Sequence, residues 1–275
     1  MISNMRKLVI VLWCLTQIAC ERPTKARLEN VQLNGSEVLI DVLPDASTIV
    51  ADRMIRVQGD FCPEVEQKCL RWLDKDQSPT ANFGIGPLRC AEFASTKCLS
   101  SKRRRMDFLI DKFEWPNKEN EFPLVTIDWY SAKTKCERVG KRLCTADEWT
   151  FACEGPETKP YPYGDGLHRD ATACNIDKPS MDPNTPRSEW SKHNRSMPSG
   201  VMKNCVSWAG VNDMTGNVDE WVHNVGGRKD GDPYFSGLKG GYFGPIRARC
   251  RPMTTVHGPT FSFYQQGFRC CKDNR

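Results

Sequence analysis

The sequence predicts an α+β domain that is rich in loops and stapled by disulfides. Fourteen of the 275 residues are cysteine, and so many thiols can pair in an exported protein but would stay reduced in a cytosol. Two short helical patterns stand among short strand patterns, and residues 156–209 carry many Pro, Asp, Asn and Ser but few signals of regular structure. A loop this long inside a compact domain has to be held by disulfides, ions or packing.

The N-terminal segment predicts export. Arg6 and Lys7 precede an apolar run over 8–19, which is too short for a comfortable membrane span and resembles a signal peptide. A small residue followed by Cys20 resembles a bacterial lipoprotein cleavage site. We therefore expect a signal peptide over 1–19 and a lipid at Cys20 that anchors the protein to the membrane of a bacterial cell envelope. Plain secretion is the alternative.

The charge pattern gives no indication of a nucleic-acid partner. The net charge of +5 is modest for a chain of this length. The basic run Arg103-Arg104-Arg105 is short, as is typical of a solvated loop.

The first half of the chain alternates between short strands and irregular segments. Residues 20–50 form a polar lead with two alternating patches, which fit either short strands or a tether. The domain itself is expected over 51–275, with a Cys-rich insertion at about 60–105. After this insertion, alternation over 106–115 predicts a strand that Pro116 ends.

Two short helices are predicted next. Asp128 is a suitable N-cap for a helix that runs to Val139, and Gly140 follows as the stop. Thr145 and Glu148 have the spacing of a capping box at the start of the second helix. A final strand is expected over 266–271, and a buried core role is expected for three tryptophans: Trp149, Trp208 and Trp221.

The stretch 210–221, Gly-Val-Asn-Asp-Met-Thr-Gly-Asn-Val-Asp-Glu-Trp, combines turn-forming residues with acids. Gly and Asn tolerate left-handed backbone dihedrals and so favour tight turns. Carboxylates interleaved with exposed carbonyls form the oxygen-rich setting that calcium prefers. The residues alone leave both interpretations open: a turn closed by hydrogen bonds, or a cation site.

Several motifs stand in a recognisable order along residues 50–275: Phe108 to Glu114, Pro123-Leu124-Val125 with Asp128-Trp129, Gly140 to Leu143, Thr145 to Trp149, Tyr161 to Asp165, Gly210 to Trp221, Gly240-Gly241 and Gly267-Phe268-Arg269. This ordered set resembles the formylglycine-generating enzyme (sulfatase-modifying factor) family. The resemblance implies a loop-rich α+β fold that is related to the C-type lectin fold.

The resemblance also implies a catalytic apparatus that this sequence lacks. Catalytic members carry a pair of cysteines just after the Gly-Gly segment, bind copper, and oxidise a sulfatase cysteine to formylglycine with oxygen. Here no cysteine lies between Cys205 and Cys250, and Cys250 matches a structural cysteine of the family. A copper(I) site needs soft ligands such as a thiolate pair. We therefore expect no copper and no catalytic residues.

Calcium is the cofactor that the resemblance does imply. One site matches Asp213, Gly216, Val218 and Glu220, of which the two central residues act through backbone carbonyls. A second site would start at Asn175 and Ile176. The alternative for the first site remains a turn closed by hydrogen bonds alone.

The resemblance further implies disulfides that join Cys136 with Cys270 and Cys153 with Cys250. The cysteines left over then suggest Cys174 with Cys205 and Cys144 with Cys271. Four more, Cys62, Cys69, Cys90 and Cys98, would pair among themselves in an order that stays open. A redox role for the vicinal Cys270 or Cys271 is the functional alternative, although no neighbouring group in the sequence would lower a thiol pKa.

Three alternating arginines surround Cys250. Arg247, Arg249 and Arg251 either line a cleft for an anionic or peptide ligand or face solvent from alternate positions of a strand. Taken together, the sequence predicts an exported, lipid-anchored binding or structural module whose partner is an unknown protein or peptide. The alternative function is that of an oxidoreductase that modifies protein cysteines through other residues.

Overall fold

A computed structural model of the chain describes residues 27–33, 36–42, 53–74, 89–179, 181–182 and 184–274. The expected signal peptide and Cys20 lie outside these residues. Within the described ranges, no helix has the length and apolarity needed to cross a membrane. The chain divides into two compact units, residues 1–45 and residues 46–275.

The described elements follow in chain order as β1 (Arg27–Leu33), β2 (Ser36–Val42), β3 (Met54–Phe61), β4 (Val65–Glu66), β5 (Cys69–Trp72), β6 (Cys90–Phe93), β7 (Lys97–Cys98), β8 (Arg104–Asp111), α1 (Trp129–Arg138), β9 (Arg142–Leu143), α2 (Ala146–Glu154), a 3₁₀ helix (Arg187–His193), β10 (Asp219–His223), β11 (Ser236–Lys239), β12 (Met253–Thr254), β13 (Gln266–Phe268) and β14 (Cys270–Asp273). In the first unit, β1 and β2 form an antiparallel hairpin, so the alternating patches of the polar lead lie in strands.

Two four-stranded sheets form the frame of the second unit. The first has the order β3-β8-β14-β9 and is antiparallel throughout. The second has the order β12-β11-β10-β13, in which β10 and β13 are parallel. Strands from the beginning and the end of this unit therefore meet in one sheet, and the end of the chain closes the domain.

Two strand predictions are wrong at their ends. The strand expected over 106–115 ends at Asp111, because the side-chain oxygen of Asn117 accepts from the N–H of Phe113 and closes a turn. The single strand expected over 266–271 is two strands, β13 and β14, which belong to different sheets. Arg269 lies between them, where the chain changes sheets.

Both predicted helices are confirmed, with their caps. Asp128 accepts a hydrogen bond from the N–H of Ser131 at the start of α1. The capping box of Thr145 and Glu148 is complete at the start of α2. Gly140 follows α1 with a φ of 69°, a left-handed conformation that glycine adopts without steric cost.

Six disulfides staple the loops of the domain: Cys62–Cys98, Cys69–Cys90, Cys136–Cys270, Cys144–Cys271, Cys153–Cys250 and Cys174–Cys205. The last four confirm the pairs that the resemblance and the remaining cysteines suggested. The first two show how Cys62, Cys69, Cys90 and Cys98 pair, which the sequence left open. The first two also hold the Cys-rich insertion, where β4 pairs with β7 and β5 with β6. The last one closes a loop within 156–209.

The core consists of three clusters of buried side chains, centred on α2 with β8, on the Tyr161 region, and on α1 with β10. Trp149 and Trp221 are fully buried in it, as predicted. Trp208 also contacts the core, with its ring centre 5.3 Å from that of the buried Phe151, although its own side chain is 44% exposed. It covers the end of α2, where its ring nitrogen donates to the carbonyl of Phe151 and its ring lies against Gly155.

Candidate functional site

The stretch 210–221 folds as a series of tight turns that lead into β10. Asp213 and Asn217 both take a φ of 56°, and Gly216 takes 78°. Only glycine fits at position 216, since a Cβ there would lie 2.4 Å from the carbonyl oxygen of Asn175. The two predicted cation-ligand sets are therefore in direct contact, and the N–H of Asn217 donates to that same carbonyl.

A buried ion pair stands at the end of this stretch. Nε and Nη2 of Arg269 donate to the two carboxylate oxygens of Glu220, each at 2.6 Å. The indole of Trp149 donates to the same carboxylate at 2.8 Å. Arg269 also donates to the carbonyl of Asn212. The guanidinium thus fixes the turn, β10 and the last two strands to one another.

Two further buried acids lie beside this pair. The carboxylate of Asp213 accepts from the N–H of Gly200 at 2.6 Å. Burial raises the pKa of Asp213 to about 6. Burial also raises the pKa of Glu114 well above its ordinary value, and the charges of Asp213 and Glu220 raise it further. Of the three buried carboxyls, only Glu220 is hydrogen-bonded to the guanidinium of Arg269, whose charge also acts on Glu114 and Asp213.

Two buried side-chain oxygens in this region, one on Glu114 and one on Asn175, have no hydrogen-bond partner. One oxygen of Glu114 accepts from Ser199 and Asn217, whereas its Oε1 has no hydrogen-bond donor. The side-chain nitrogen of Asn175 donates to Asn217 and to the carbonyl of Arg195, which fixes the orientation of the amide. Its Oδ1 is then left without a donor. An unsatisfied buried oxygen is costly unless a cation or water meets it.

The segment after β11 carries no thiol before Cys250. Gly240 and Gly241 follow the strand with φ values of 86° and 73°, and the N–H of Gly216 donates to the carbonyl of Gly240. Cys250 at the far end of the segment is bonded to Cys153. Asp219, next to this segment, is buried, and desolvation raises its pKa to about 7.

The three arginines around Cys250 do not alternate along a strand, because residues 240–252 form bends and turns. Arg251 pairs with the buried Glu154 and donates to the carbonyls of Cys62 and Pro63, and these bonds anchor the insertion. Arg247 donates to Thr254. Arg249 lies over the ring of Phe93, with its guanidinium carbon 5.2 Å from the ring centre.

The family model of the sulfatase-modifying factor enzyme 1-like domain matches residues 88–274. The chain belongs to this family. The inactive Cα-formylglycine-generating enzyme 2 of Bos taurus is 30% identical over 157 residues, which are 54% of this chain and 50% of that protein. The chain thus spans about half the length of this curated relative.

The solved structure of CarF shows the same fold as this sulfatase-modifying factor domain. The crystal structure of CarF superposes with a TM-score of 0.51 at 14% identity, over 81% of this chain and 98% of that chain. PvdO from Pseudomonas aeruginosa is similar with a TM-score of 0.46 at 15% identity, over 80% of this chain and 94% of that chain. The predicted α+β fold related to the C-type lectin fold is confirmed.

The candidate ligand atoms of the two predicted cation sites in this sulfatase-modifying factor domain are of the chemical type that binds a hard cation. They are carboxyl, amide and backbone carbonyl oxygens, and one of them, Oδ1 of Asn175, lacks a hydrogen-bond partner. No group of three or more His, Cys, Asp or Glu side chains converges on one point among the described residues. A calcium ion held by Asp213 and the carbonyls of Gly216 and Val218 would share Glu220 with Arg269. At the second set, the unpaired Oδ1 of Asn175 is the oxygen that such an ion would take.

Sequence reasoning assigned no role to Glu114 or Arg269, although both stand inside the family motifs. A signal for them exists: each is a charged residue within a segment predicted as a strand, and a buried charge needs a partner. They come close only in the folded chain. No local pattern in the sequence marks Arg169 as a functional residue.

Proposed function

We propose that this protein is an exported, lipid-anchored binding or structural module built on a non-catalytic sulfatase-modifying factor domain. One observation carries the proposal: all twelve cysteines within the described residues are joined in the six disulfides. Thiol-based oxidation requires a free thiolate. Within the part of the chain that the structure describes, no sulfur is left to supply one.

The position of these disulfides supports the proposal further. The segment after Gly241, where catalytic relatives carry their cysteine pair, reaches its first sulfur at Cys250, and that sulfur is bonded to Cys153 in the core. The vicinal Cys270 and Cys271 are both fully buried and both bonded. The name of the Bos taurus relative, which calls that protein inactive, agrees with this proposal.

Export follows from the same chemistry, because disulfides persist in an oxidising compartment. A lipid at Cys20 would then hold the domain at the surface of a membrane, in a bacterial cell envelope, and the domain would present its loops to a protein or peptide partner. Loops positioned by a rigid scaffold are where binding residues concentrate.

A peptide oxidation assay tests the absence of catalysis. The purified protein is incubated with copper, oxygen and a peptide that carries the sulfatase cysteine motif, next to a catalytic formylglycine-generating enzyme as the positive control. We expect no loss of mass at the peptide cysteine by mass spectrometry. Conversion to formylglycine above the level of a protein-free sample would overturn the proposal.

Calcium is proposed as a structural ion of this module. Removing it with a chelator is expected to lower the Tm by about 6–12 °C, because a ligand at a large excess over its Kd stabilises the fold by about 3 kcal/mol and 1 kcal/mol corresponds to about 2–4 °C in a domain of this size. Differential scanning calorimetry with and without EDTA measures the shift.

A matched variant separates the ion from other effects of the chelator. Asp213→Asn keeps the size of the side chain but removes its charge, so its Tm is expected to respond less to EDTA. An identical Tm with and without the chelator in the wild-type protein would count against calcium at either set.

A further inference from the structure

We propose that Arg249, together with Arg169 and Arg247, forms a binding site for an acidic group of a ligand, such as a carboxylate, a sulfate or a phosphate. This inference rests on the binding role proposed above and adds the chemistry that the ligand must carry. The site is distinct from the buried acid cluster around Arg269, and at its centre stands a guanidinium that pairs with no carboxylate among the described residues.

Arg249 is the centre of the site. Its Nε is buried and has no hydrogen-bond partner. Among the described residues, no carboxylate pairs with its guanidinium, whose carbon lies 5.2 Å from the centre of the Phe93 ring. Burial lowers the pKa of Arg249, and the charges of Arg247 and Arg169 lower it further. A guanidinium without a counter-ion in such a place costs free energy until an anion meets it.

Arg169 supplies a second unpaired donor. Its side chain is 2% exposed, and its Nε and Nη2 pair with Asp177 at 3.0 and 2.9 Å. Nη2 also donates to the carbonyl of Ile246 at 3.0 Å, so the segment that carries Arg249 is fixed against Arg169. Nη1 of Arg169 has no partner. Both arginines therefore keep an unused N–H in a region that the fold already holds in place.

The acids nearby do not neutralise this cluster. Asp177 pairs with Arg169, and it also lies 3.4 Å from Arg89, whose closer partner is Asp74 at 2.6 Å. Asp219 acts on the cluster only through its charge near Arg247. The three guanidinium groups of this cluster thus have two acids nearby, Asp177 and Asp219. Burial raises the pKa of Asp219 to about 7. The local charge is positive, and an anion is what would balance it.

Arg251, two residues further along the chain, has the ionic and hydrogen-bond partners that Arg249 lacks. It forms an ion pair with Glu154 and donates to two carbonyls. Its partners make it structural, whereas Arg249 has none. A planar guanidinium that donates through parallel N–H groups matches the geometry of carboxylate, sulfate and phosphate oxygens. Arg247 and Arg249 are only partly buried, which leaves the cluster open to a ligand.

Inorganic sulfate is the probe for this site. The full-length, disulfide-intact protein is titrated with sodium sulfate from zero to a few millimolar at constant ionic strength in chloride, and the Tm is measured at each concentration. We expect a saturable rise of about 2–4 °C. Titration with acetate and with phosphate then ranks the three anions and identifies the preferred group.

Two variants locate the response. Arg249→Gln is expected to abolish the sulfate-dependent rise in Tm, because it removes the guanidinium at the centre of the site. Arg105→Gln makes the same change of charge at an exposed residue, which pairs with Asp60 at the surface, and it should keep the full response. If Arg249→Gln does not fold, Arg249→Lys serves instead, since it keeps the charge but loses the planar donor array.

Absence of a saturable rise in the wild-type protein would overturn the site, as would a full rise in the variant at position 249. These outcomes are independent of the peptide oxidation assay, which tests catalysis and not anion binding. A positive oxidation assay together with a sulfate response would overturn the proposed function and leave the anion site standing.

Discussion

Replacing Arg269 with Met is expected to lower the free energy of unfolding by about 3–5 kcal/mol, because removing one partner of a buried pair leaves the other charge uncompensated. Glu220 would lose both guanidinium bonds while fully buried, and Glu114 and Asp213 would lose the cation that they share with it. Urea denaturation of Arg269→Met at neutral pH measures the loss.

Two further variants show whether the loss comes from the stranded charge. Adding Glu220→Gln to the first variant is expected to recover part of the stability, since it removes the carboxylate that has no partner. Arg56→Met breaks a solvent-exposed pair with Asp107 and should change stability by less than about 1 kcal/mol. If Arg269→Met were no more destabilising than Arg56→Met, the buried cluster would not have the role described here.

Removal of the Cys136–Cys270 disulfide is expected to have an effect of similar size. The two cysteines are 134 residues apart, and the loop-entropy relation assigns a bridge of that span about 5 kcal/mol. The bridge also fixes α1 to β14 within the core, where both cysteines are fully buried. The double variant Cys136→Ala/Cys270→Ala, which leaves no unpaired thiol behind, is compared with the wild-type protein by urea denaturation.

The matched comparison is the short bridge Cys69–Cys90, whose cysteines are 21 residues apart. Its removal is expected to cost about 3 kcal/mol by the same relation. A loss for the long bridge that is equal to or smaller than that for the short one would contradict the view that these disulfides stabilise the domain chiefly by restricting the unfolded chain.

The local sequence predicts well what neighbouring residues decide. The capping box of Thr145 and Glu148 and the N-cap Asp128 are each fixed within four residues, and both stand in the structure as expected. The turn residues of 210–221 were also readable, because Gly and Asn at these spacings permit the left-handed backbone that the structure shows.

Contacts between distant segments were not predictable in this way. Glu114 and Arg269 come together across most of the domain, and no periodicity indicates that they share a site. The division of 266–271 into strands of two sheets depends on which partners lie on each side of Arg269: the carbonyl of Phe268 accepts from Trp115, and the N–H of Cys270 donates to Asp111. Neither partner is marked in the local pattern.

The arginines around Cys250 illustrate the same limit. Their alternation is typical of a strand, yet the segment bends, and each arginine has a different environment. Arg251 is satisfied by Glu154 and Arg249 is not. The difference depends on α2, which contributes the acid for one of them, and no residue of the described chain contributes an acid for the other. The sequence shows which residues of this segment are charged, but it does not show which of those charges pair with an acid in the folded chain.

Counting free thiols tests the central claim most directly. The mature protein is denatured without reduction in the presence of iodoacetamide, digested, and analysed by mass spectrometry. We expect no alkylated cysteine between Cys62 and Cys271, and six disulfide-linked peptide pairs in the order described above. An alkylated cysteine within this range, with its partner also free, would contradict the claim that the domain holds all its cysteine sulfurs in structural bridges and lacks the thiol chemistry of its catalytic relatives.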